Sequence, residues 1–171
     1  MEAMAVDGGE VRSSAMATEP FDDFFRREYA PVVAVVLALT RDRALAEDLT
    51  QEAMARAALR WERVGRYDRP GAWVRRVAIN LATSSLRRRS AERRASERLG
   101  PAGAVAPPEV DGFWDLVATL PRRQAAAVAL FYVEDRSIAE IAAVLGCAEG
   151  TAKAHLFKAR SNLARILGGE P

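Results

Sequence analysis

Apolar side chains recur at intervals of three and four residues along most of the chain, the spacing that places them on one face of an α-helix. This spacing first appears in four aromatic residues and predicts a first helix there: Phe21, Phe24, Phe25 and Tyr29. Pro31 suits the first turn of a helix, because that position needs no backbone N–H donor. We therefore predict that a second helix begins at Pro31 and ends near Thr40.

A third helix is predicted over residues 43–61, with Asp42 as the N-cap that accepts from its first free N–H groups. Residues 62–69 break the apolar period, and Asp68 followed by Pro70 predicts the cap and first turn of a fourth helix. The fourth helix can continue into an arginine-rich run at 87–98. The apolar stripes of the third and fourth helices are Leu45, Leu49, Ala53, Ala57 and Trp61, and Trp73, Val74, Val77, Ala78 and Leu81. The far side of the fourth helix carries Arg75, Arg76, Thr83 and Arg87.

Residues 99–109 hold three prolines and two glycines, so a helix cannot cross them. We predict that this linker joins a helical module at 19–98 to a second helical module at 110–171 and lets the two modules move independently. Residues 1–18 lack any period and are predicted to be a mobile tail. The second module is expected to contain four helices: 110–119, one beginning at Pro121, 138–145 with Ser137 as its cap, and 149–167.

The composition agrees with an all-α fold of two small domains. Half of the residues are hydrophobic but only 7% are aromatic, and alanine, the best helix former, supplies much of the hydrophobic fraction. The chain has one cysteine and one histidine, which argues against an internal disulfide, a protein-ligated zinc site and a Ser-His-Asp centre. We expect no catalytic residues, no metal and no cofactor, and an enzyme is the class that the sequence supports least. The longest apolar run, residues 32–39, is too short to span a bilayer.

Charge is distributed unevenly along the chain. The formal net charge is only +2, but residues 60–98 hold twelve arginines against four acids, for a local charge of +8. The segments on either side, 19–59 and 99–147, each carry −3. A basic block between two acidic segments predicts an anionic partner for the block and a different, basic partner for the acidic segments.

Residues 137–167 have the pattern of a helix-turn-helix, because a short helix ends at Gly146 and a longer helix follows within about four residues. In DNA-binding proteins the first turns of such a second helix contact base edges. Taken alone, the pattern leaves open a plain helical hairpin with a solvated basic face. On the longer helix the predicted buried stripe is Ala152, Leu156, Ala159, Leu163 and Ile166, and the predicted exposed residues are Gly150, Lys153, Ala154, Phe157, Lys158 and Ser161.

The amino-acid sequences of three segments resemble those of the sigma-70 family of RNA polymerase factors. Residues 120–160 read LPRRQAAAVALFYVEDRSIAEIAAVLGCAEGTAKAHLFKAR and resemble the family's region 4, which reads the −35 promoter element. Residues 41–52, RDRALAEDLTQE, are similar to the region 2 helix that docks on the polymerase clamp. Residues 72–80, AWVRRVAIN, followed by LRRR at 86–89, are similar to the −10-reading helix. The order of the matches, with no region 3 between them, resembles the two-domain extracytoplasmic-function (ECF) group.

This resemblance implies that the chain works in the cytoplasm with three partners: core RNA polymerase, through its clamp helices and flap; promoter DNA; and an anti-sigma protein. It also implies three sets of site residues. The polymerase-docking set is Glu47, Asp48, Gln51 and Glu52. The −10 set is Arg66, Tyr67, Arg75, Arg76, Asn80, Thr83 and Arg87. The −35 set is Glu149, Thr151, Lys153, Ala154, His155, Phe157, Lys158 and Arg160.

A simpler interpretation stays open for each set. The acids of the third helix can form a solvated face favoured by the helix dipole, Asn80 can make a packing hydrogen bond, and Phe157 can pack on the preceding helix. Trp61 fits the core better than a stacking surface for a flipped base. A polymerase-independent helix-turn-helix regulator explains residues 120–167 but not the acidic helix, and a helical adaptor needs no nucleic acid. Ala148 stands where the family usually has a capping serine, so the recognition helix lacks that cap.

Overall fold

The structure is a computed structural model that describes residues 19–98 and 112–168. The predicted tail at 1–18 and the predicted linker at 99–109 lie outside these ranges. Within them the chain forms helices and no strands, so the all-α prediction is confirmed. In the same ranges, no helix has the length and the apolar character needed to cross a membrane. The helices are α1 (Phe21–Thr40), α2 (Arg43–Ala58), α3 (Trp61–Val64), α4 (Pro70–Arg98), α5 (Phe113–Thr119), α6 (Arg122–Glu134), α7 (Ile138–Leu145) and α8 (Glu149–Ile166).

The prediction of two helices before residue 40 is wrong, because α1 runs unbroken through Pro31. A proline inside a helix leaves the carbonyl four residues earlier without its partner and ordinarily costs about 3 kcal/mol. Tertiary packing offsets this cost, since α1 lies against α2, α4, α5 and α6 and its residues Val32, Val35 and Val36 are buried. The helix ends at Thr40.

The start of α2 is as predicted. Asp42 accepts from the Leu45 backbone N–H at 3.0 Å, and this bond, followed by the Arg89 guanidinium, lowers the pKa of the Asp42 carboxyl. The predicted apolar stripe is buried or half-buried along its whole length. The end is earlier than predicted: α2 stops at Ala58, and the single turn of α3 follows instead of a helix continuing to residue 61.

The fourth predicted helix is α4, which begins at Pro70 and continues through the arginine-rich run. Asp68 is not its cap, because among the described residues it makes no side-chain hydrogen bond. The Arg69 carbonyl instead accepts from the backbone N–H of Ala72 at 3.1 Å. Pro70 has no N–H to satisfy and its φ is fixed near the helical value, so it begins the helix without a side-chain cap.

The core of the first module lies where α1, α2 and α4 meet, around the fully buried Phe24 and Met54. Trp61 closes one end of this core. Its ring centroid lies 5.2 Å from that of Phe21 and 4.6 Å from that of Phe24, and its indole N–H donates to the Glu19 carbonyl at 2.9 Å. The interpretation of Trp61 as a core residue is therefore confirmed.

The second module places α7 and α8 as a helix-turn-helix against α6. Ser137 forms the predicted cap of α7 as one half of a capping box with Glu140. α7 ends at Gly146, whose φ of +64° favours glycine. Four residues of the predicted α8 stripe are buried, but the fifth, Ile166, is the last residue of α8 and is 47% exposed.

The two modules are in contact in this structure, although the composition of residues 99–109 predicted that they would move independently. One buried apolar cluster contains Val35 and Ile79 from the first module together with Val117, Val128 and Leu130 from the second. α1 packs on α5 and α6, and α4 packs on α7. In this structure the described parts of the two modules therefore share part of their core.

Candidate nucleic-acid and polymerase interfaces

The four polymerase-docking candidates lie along the solvent side of α2. Asp48 is exposed, and among the described residues its carboxylate has no partner. Gln51 is exposed as well, with its amide 3.5 Å from the Tyr29 hydroxyl. Glu47 and Glu52 form surface ion pairs with arginines one turn along the same helix. Surface ion pairs contribute little to stability, so breaking them costs little free energy. The whole face is therefore available to a basic partner.

A cleft of about 760 Å³ opens at the junction of α2 and α3. Arg66 lies on its wall and is exposed, together with Arg63. Leu59 stands at its rim with 85% of its surface exposed. Sequence reasoning missed Leu59, because it lies between Ala57 and Trp61 and does not belong to the predicted apolar stripe of α2. Tyr67 is 37% exposed and lines a separate, shallow pocket beside α4.

Arg75 does not lie on the solvent side of α4, as the helical projection predicted; its side chain is only 3% exposed. Its Nε and Nη2 donate to the two carboxylate oxygens of Glu134 at 2.6 and 2.7 Å, and its Nη1 donates to Glu28 at 2.6 Å. The projection was wrong because it considered the first module alone, whereas Glu134 comes from α6. Burial alone would raise the pKa of Glu28, but the hydrogen bonds and charges of Arg75 and, after it, Arg27 together outweigh burial and lower that pKa.

Arg76 is exposed, but its guanidinium is also engaged by the second module. Its Nε donates to the Val144 carbonyl at 2.9 Å, and its Nη2 donates to the carbonyl of Ala143. Arg123 of α6 donates to the next carbonyl, that of Leu145, at 3.1 Å. The last carbonyls of a helix have no partner within it, so these arginines satisfy the carboxyl end of α7.

The rest of the −10 set lies further along α4. Asn80 is exposed, Thr83 is half-buried and Arg87 is exposed. Among the described residues, the Asn80 side chain makes no hydrogen bond, so the packing alternative for this residue is wrong. Asn80 and Thr83 line a groove between α4 and α6 that also contains Arg122 and Arg123. These three residues, together with Arg66 and Tyr67, therefore stay accessible while Arg75 and Arg76 are engaged.

The exposed side of α8 agrees with the sequence projection. Phe157 is 71% exposed, so the alternative that it packs on the preceding helix is wrong. Lys153 and Lys158 flank it and are exposed. Ala148 occupies the N-cap position of α8 and provides no side-chain bond. The remaining members of the −35 set on this side are exposed as well: Glu149, Thr151 and Ala154.

Two residues of the −35 set have neighbours that change what they can do. The guanidinium of Arg160 lies over the rings of Phe131 and Tyr132, and its Nε donates to the Tyr132 hydroxyl at 3.2 Å. It is thereby held in one orientation beside α6. Burial, and after it the charges of Arg123 and Lys158, lower the pKa of His155. These surroundings therefore favour the uncharged form of the imidazole.

No group of three or more His, Cys, Asp or Glu side chains within the described ranges has the arrangement of a metal site. The most important residues that sequence reasoning missed are instead the acids around Arg75, namely Glu28 and Glu134. Each lies on a helix whose periodicity gives no indication of an inter-module contact. A helical projection of one module cannot identify such residues.

Comparisons with known proteins agree with this architecture. The family model described as Sigma-70 region 2 matches residues 24–92, and the model described as Sigma-70, region 4 matches residues 111–163. The chain is 35% identical to the ECF RNA polymerase sigma factor SigM of Mycobacterium tuberculosis, over 86% of this chain and 77% of that protein. It is 31% identical to the RNA polymerase sigma-E factor of Streptomyces coelicolor, over 86% of this chain and 85% of that protein.

Solved structures show the same fold. The sigma factor RpoE of Bartonella quintana, in complex with the anti-sigma factor NepR, superposes with a TM-score of 0.66 at 23% identity, over 88% of this chain and 98% of that chain. CnrH, in complex with the cytosolic domain of CnrY, gives a TM-score of 0.62 at 20% identity, over 86% of this chain and 87% of that chain. The chain belongs to the ECF group of the sigma-70 family of RNA polymerase sigma factors.

Proposed function

We propose how the promoter-directing work of this sigma factor is divided among its helices. The chain directs core RNA polymerase to promoters. In our proposal α2 docks on the polymerase clamp, α4 and the cleft beside α3 read and open the −10 element, and α8 reads the −35 element. The chain contributes binding free energy only, and bond chemistry stays with the polymerase. Because the polymerase and the promoter are cytoplasmic, so is the site of action.

One observation carries the −35 assignment. Phe157 is 71% exposed, although burying a phenylalanine normally stabilises a protein by about 1.5–3 kcal/mol. It lies one turn after Lys153 on the exposed side of the second helix of a helix-turn-helix. In the major groove a thymine methyl offers Phe157 an apolar contact, and guanine O6 and N7 offer Lys153 acceptors.

The docking assignment for α2 depends on charge and accessibility. Asp48 and Gln51 are exposed, and neither side chain contributes to the buried contact between the modules. The clamp helices that receive this surface in the family are basic, so an unpaired carboxylate and an amide complement them. The other two docking candidates, Glu47 and Glu52, widen the acidic face along the same helix.

The −10 assignment combines a groove with a cleft. Asn80 presents both a donor and an acceptor to a base edge. Arg87 is exposed about two turns further along α4, where it suits a phosphate. The cleft beside Trp61, with Arg66 on its wall, has the volume to take up an unstacked base. Trapping such a base stabilises the open strand, since the cost of unstacking is a few kcal/mol. Tyr67 adds a stacking surface nearby.

An anti-sigma protein is the third proposed partner. One structural neighbour described above is in complex with an anti-sigma factor, and the other is in complex with the cytosolic domain of CnrY. A partner that covers the acidic face of α2 or the exposed side of α8 would block docking or −35 reading. Both surfaces are accessible in the present structure.

The test is reconstitution with core RNA polymerase. Tagged chain is incubated with core enzyme and recovered, and the complex then transcribes fragmented genomic DNA from the same cell, with start sites mapped by sequencing. We expect stable co-recovery and start sites that share two motifs about two helical turns apart, which appear only when the chain is added. A chain that binds the same DNA without core enzyme, and that leaves the start sites unchanged, would support a polymerase-independent regulator instead.

A further inference from the structure

Arg160 is the member of the −35 set whose charge is held against aromatic rings. Its guanidinium carbon lies 5.3 Å from the ring centroid of Phe131 and 5.8 Å from that of Tyr132, both on α6. Its Nε donates to the Tyr132 hydroxyl at 3.2 Å, and among the described residues it has no carboxylate partner. Aromatic rings attract a guanidinium without neutralising its charge. Arg160 therefore keeps its full positive charge while its side chain is held beside α6.

Tyr132 is itself held in place, although 51% of its surface is exposed. Its ring centroid lies 6.3 Å from that of Phe113 on α5 and 5.0 Å from that of Phe131, with interplanar angles of 80° and 74°. Aromatic pairs favour such edge-to-face arrangements. Further along α6 and α8, the side-chain amide of Asn162 donates to Oε1 of Gln124 at 2.9 Å. The phenol is therefore a fixed part of the surface that α6 presents beside α8.

The contact between Tyr132 and Arg160 leaves several hydrogen-bond donors free. A guanidinium has five N–H donors, and only the Nε donor of Arg160 has an acceptor among the described residues. A phenol hydroxyl can accept and donate at once, and the Tyr132 hydroxyl donates to no described residue. A fixed cation and a neutral donor thus lie side by side, with no acid of the described ranges paired to either. Such a donor pair suits a phosphate oxygen, which forms charge-assisted hydrogen bonds.

The position of Arg160 on α8 indicates which phosphate these donors meet. Arg160 follows Phe157 by three residues and Lys153 by seven, so the three side chains lie along the same side of the helix. In a helix-turn-helix the first turns of the second helix contact base edges. Donors beside them meet the sugar–phosphate backbone, which fixes the register of the protein on the duplex. A backbone phosphate bordering the bases assigned to Lys153 and Phe157 is therefore the matching ligand.

We propose that Tyr132 and Arg160 form one site for a backbone phosphate of the −35 element, in which Arg160 supplies the charge, and Tyr132 positions the guanidinium and adds a second donor. Tyr132 belongs to none of the polymerase-docking, −10 and −35 sets, so the proposal adds a residue of α6 to the −35 surface. Because both side chains are held before DNA arrives, less side-chain freedom is lost on binding. The proposal rests on the assignment of α8 to −35 reading.

Two substitutions separate the hydroxyl from the ring and from the charge. Tyr132→Phe removes the hydroxyl and keeps the ring against which Arg160 lies. Arg160→Ala removes the charge, and a double variant combines the two changes. Thr119→Val is the matched control, because it removes another exposed hydroxyl of the second module at nearly constant size. Among the described residues that hydroxyl bonds only to the Leu116 carbonyl, at 2.7 Å.

The first measurement uses a duplex fragment that carries the −35 motif of a mapped promoter and ends before its −10 motif. The affinity of the complex with core polymerase for this fragment is measured at several salt concentrations. We expect Tyr132→Phe to weaken binding by about three- to tenfold and Arg160→Ala by about tenfold or more, the ranges for a neutral and a charged hydrogen bond. Arg160→Ala alone should make the salt dependence less steep, by about one counterion. Thr119→Val should bind like the parent.

The double variant tests whether the two side chains share one phosphate. If they do, Tyr132→Phe should cost much less affinity when residue 160 is already alanine. Each phosphate of the fragment is also replaced in turn by an uncharged methylphosphonate. At one position we expect the replacement to weaken binding of the parent and of Thr119→Val, to weaken Tyr132→Phe less, and to have little effect on Arg160→Ala. Base discrimination should stay as in the parent, because phosphate contacts carry no sequence information.

Parent-like affinity of Tyr132→Phe, or an equal loss with and without Arg160, would overturn the shared site. A purely structural contact would lower the melting temperature of free Tyr132→Phe and leave its methylphosphonate pattern like that of the parent, which also overturns the proposal. Failure of the proposed function gives a different result, because Arg160→Ala and Phe157→Ser would then both bind the −35 fragment like the parent.

Discussion

At the scale of single residues, Phe157 is the side chain whose exposure most needs an external partner. We expect Phe157→Ser to leave the free energy of unfolding within about 0.5 kcal/mol of the parent, because surface changes usually fall in that range. The same change should lower discrimination at one −35 base by about 1–3 kcal/mol, the usual cost of a lost base contact. Affinities of the polymerase complex for single-base promoter variants, together with thermal unfolding, measure both effects.

Lys158→Ala is the matched control for that prediction. Lys158 follows Phe157 on the exposed side of α8 but suits a phosphate, so its loss should weaken binding to every promoter alike. The dependence of affinity on salt should also become less steep by about one counterion. If Phe157→Ser instead unfolds the second module and leaves base discrimination intact, Phe157 is a packing residue.

Ala148 gives a residue-scale prediction about stability. It occupies the N-cap of α8 in an extended conformation, with φ −69° and ψ 152°, and makes no side-chain cap bond. Serine in this conformation accepts from a backbone N–H in the first turn, so Ala148→Ser should stabilise the second module by about 1 kcal/mol. Urea unfolding followed by circular dichroism measures the change. Ala148→Val is the control, since valine supplies no hydroxyl and is as poor an N-cap as alanine, and an equal gain from it would contradict the capping explanation.

At the scale of the element, the capping box of α7 makes a prediction about pH. The Ser137 backbone N–H, followed by the Arg136 guanidinium, lowers the pKa of Glu140 from 4.5 to about 2. A carboxylate with a lowered pKa in the folded state stabilises that state above its unfolded pKa, and this contribution is lost as the pH falls from 4.5 to about 2. Glu140→Gln should therefore reduce the loss of stability over this range.

Unfolding free energies of the parent and Glu140→Gln at neutral and acidic pH give the test. Glutamine can still complete a capping box, so the variant should differ from the parent only modestly at neutral pH. The side chain of Glu140 is 37% exposed, so solvent screening reduces the size of the effect. Equal acid sensitivity of the two proteins would show that this carboxylate does not contribute to it.

The acidic face of α2 makes the other element-scale prediction. Asp48→Arg combined with Gln51→Ala should weaken binding to core polymerase by about tenfold or more, because like charges placed opposite each other cost several kcal/mol. The second module should stay folded, since neither side chain contacts it. Asp22→Arg on α1 is the control, as it reverses the charge of another exposed acid. Unchanged recovery with core polymerase would contradict the assignment of this face to docking.

The helix ends and the exposed side of α8 show which features of the elements a sequence can predict. Asp42, Ser137 and Gly146 determine helix ends through local chemistry, and each lies where its residue type predicted. The exposed side of α8 was predicted because its helical period is undisturbed by other elements. Pro31 misled the prediction, since local chemistry favours a helix start there and only tertiary packing carries α1 through it.

At the scale of the whole molecule, the arrangement of the two modules was beyond sequence reasoning. Arg75 reads as a solvent-exposed, DNA-facing residue in a projection of α4, and it is buried because Glu134 approaches from a helix 59 positions away. Contacts over such separations depend on how the modules pack. The polymerase-docking and −35 residues were placed on accessible surfaces because neither α2 nor the exposed side of α8 takes part in that packing.

The shared core predicts that the modules bind each other without a covalent connection. Residues 102–107 are replaced by a specific protease site, and the full chain is cleaved after purification. We expect the two fragments to elute together from a size-exclusion column at micromolar concentration. The reason is the buried apolar cluster that both modules share, which contains Val35, Ile79, Val117, Val128 and Leu130. The buried ion pairs of Arg75 add to this contact.

A pair of variants tests the contribution of these ion pairs. Removing one member of a buried ion pair leaves the other unpaired and is costly. The cleaved Glu134→Gln chain should therefore elute as separate fragments at a concentration where the cleaved Asp135→Asn chain, the control at a neighbouring exposed acid, does not. Parent fragments that separate at once would mean that the linker alone keeps the modules close.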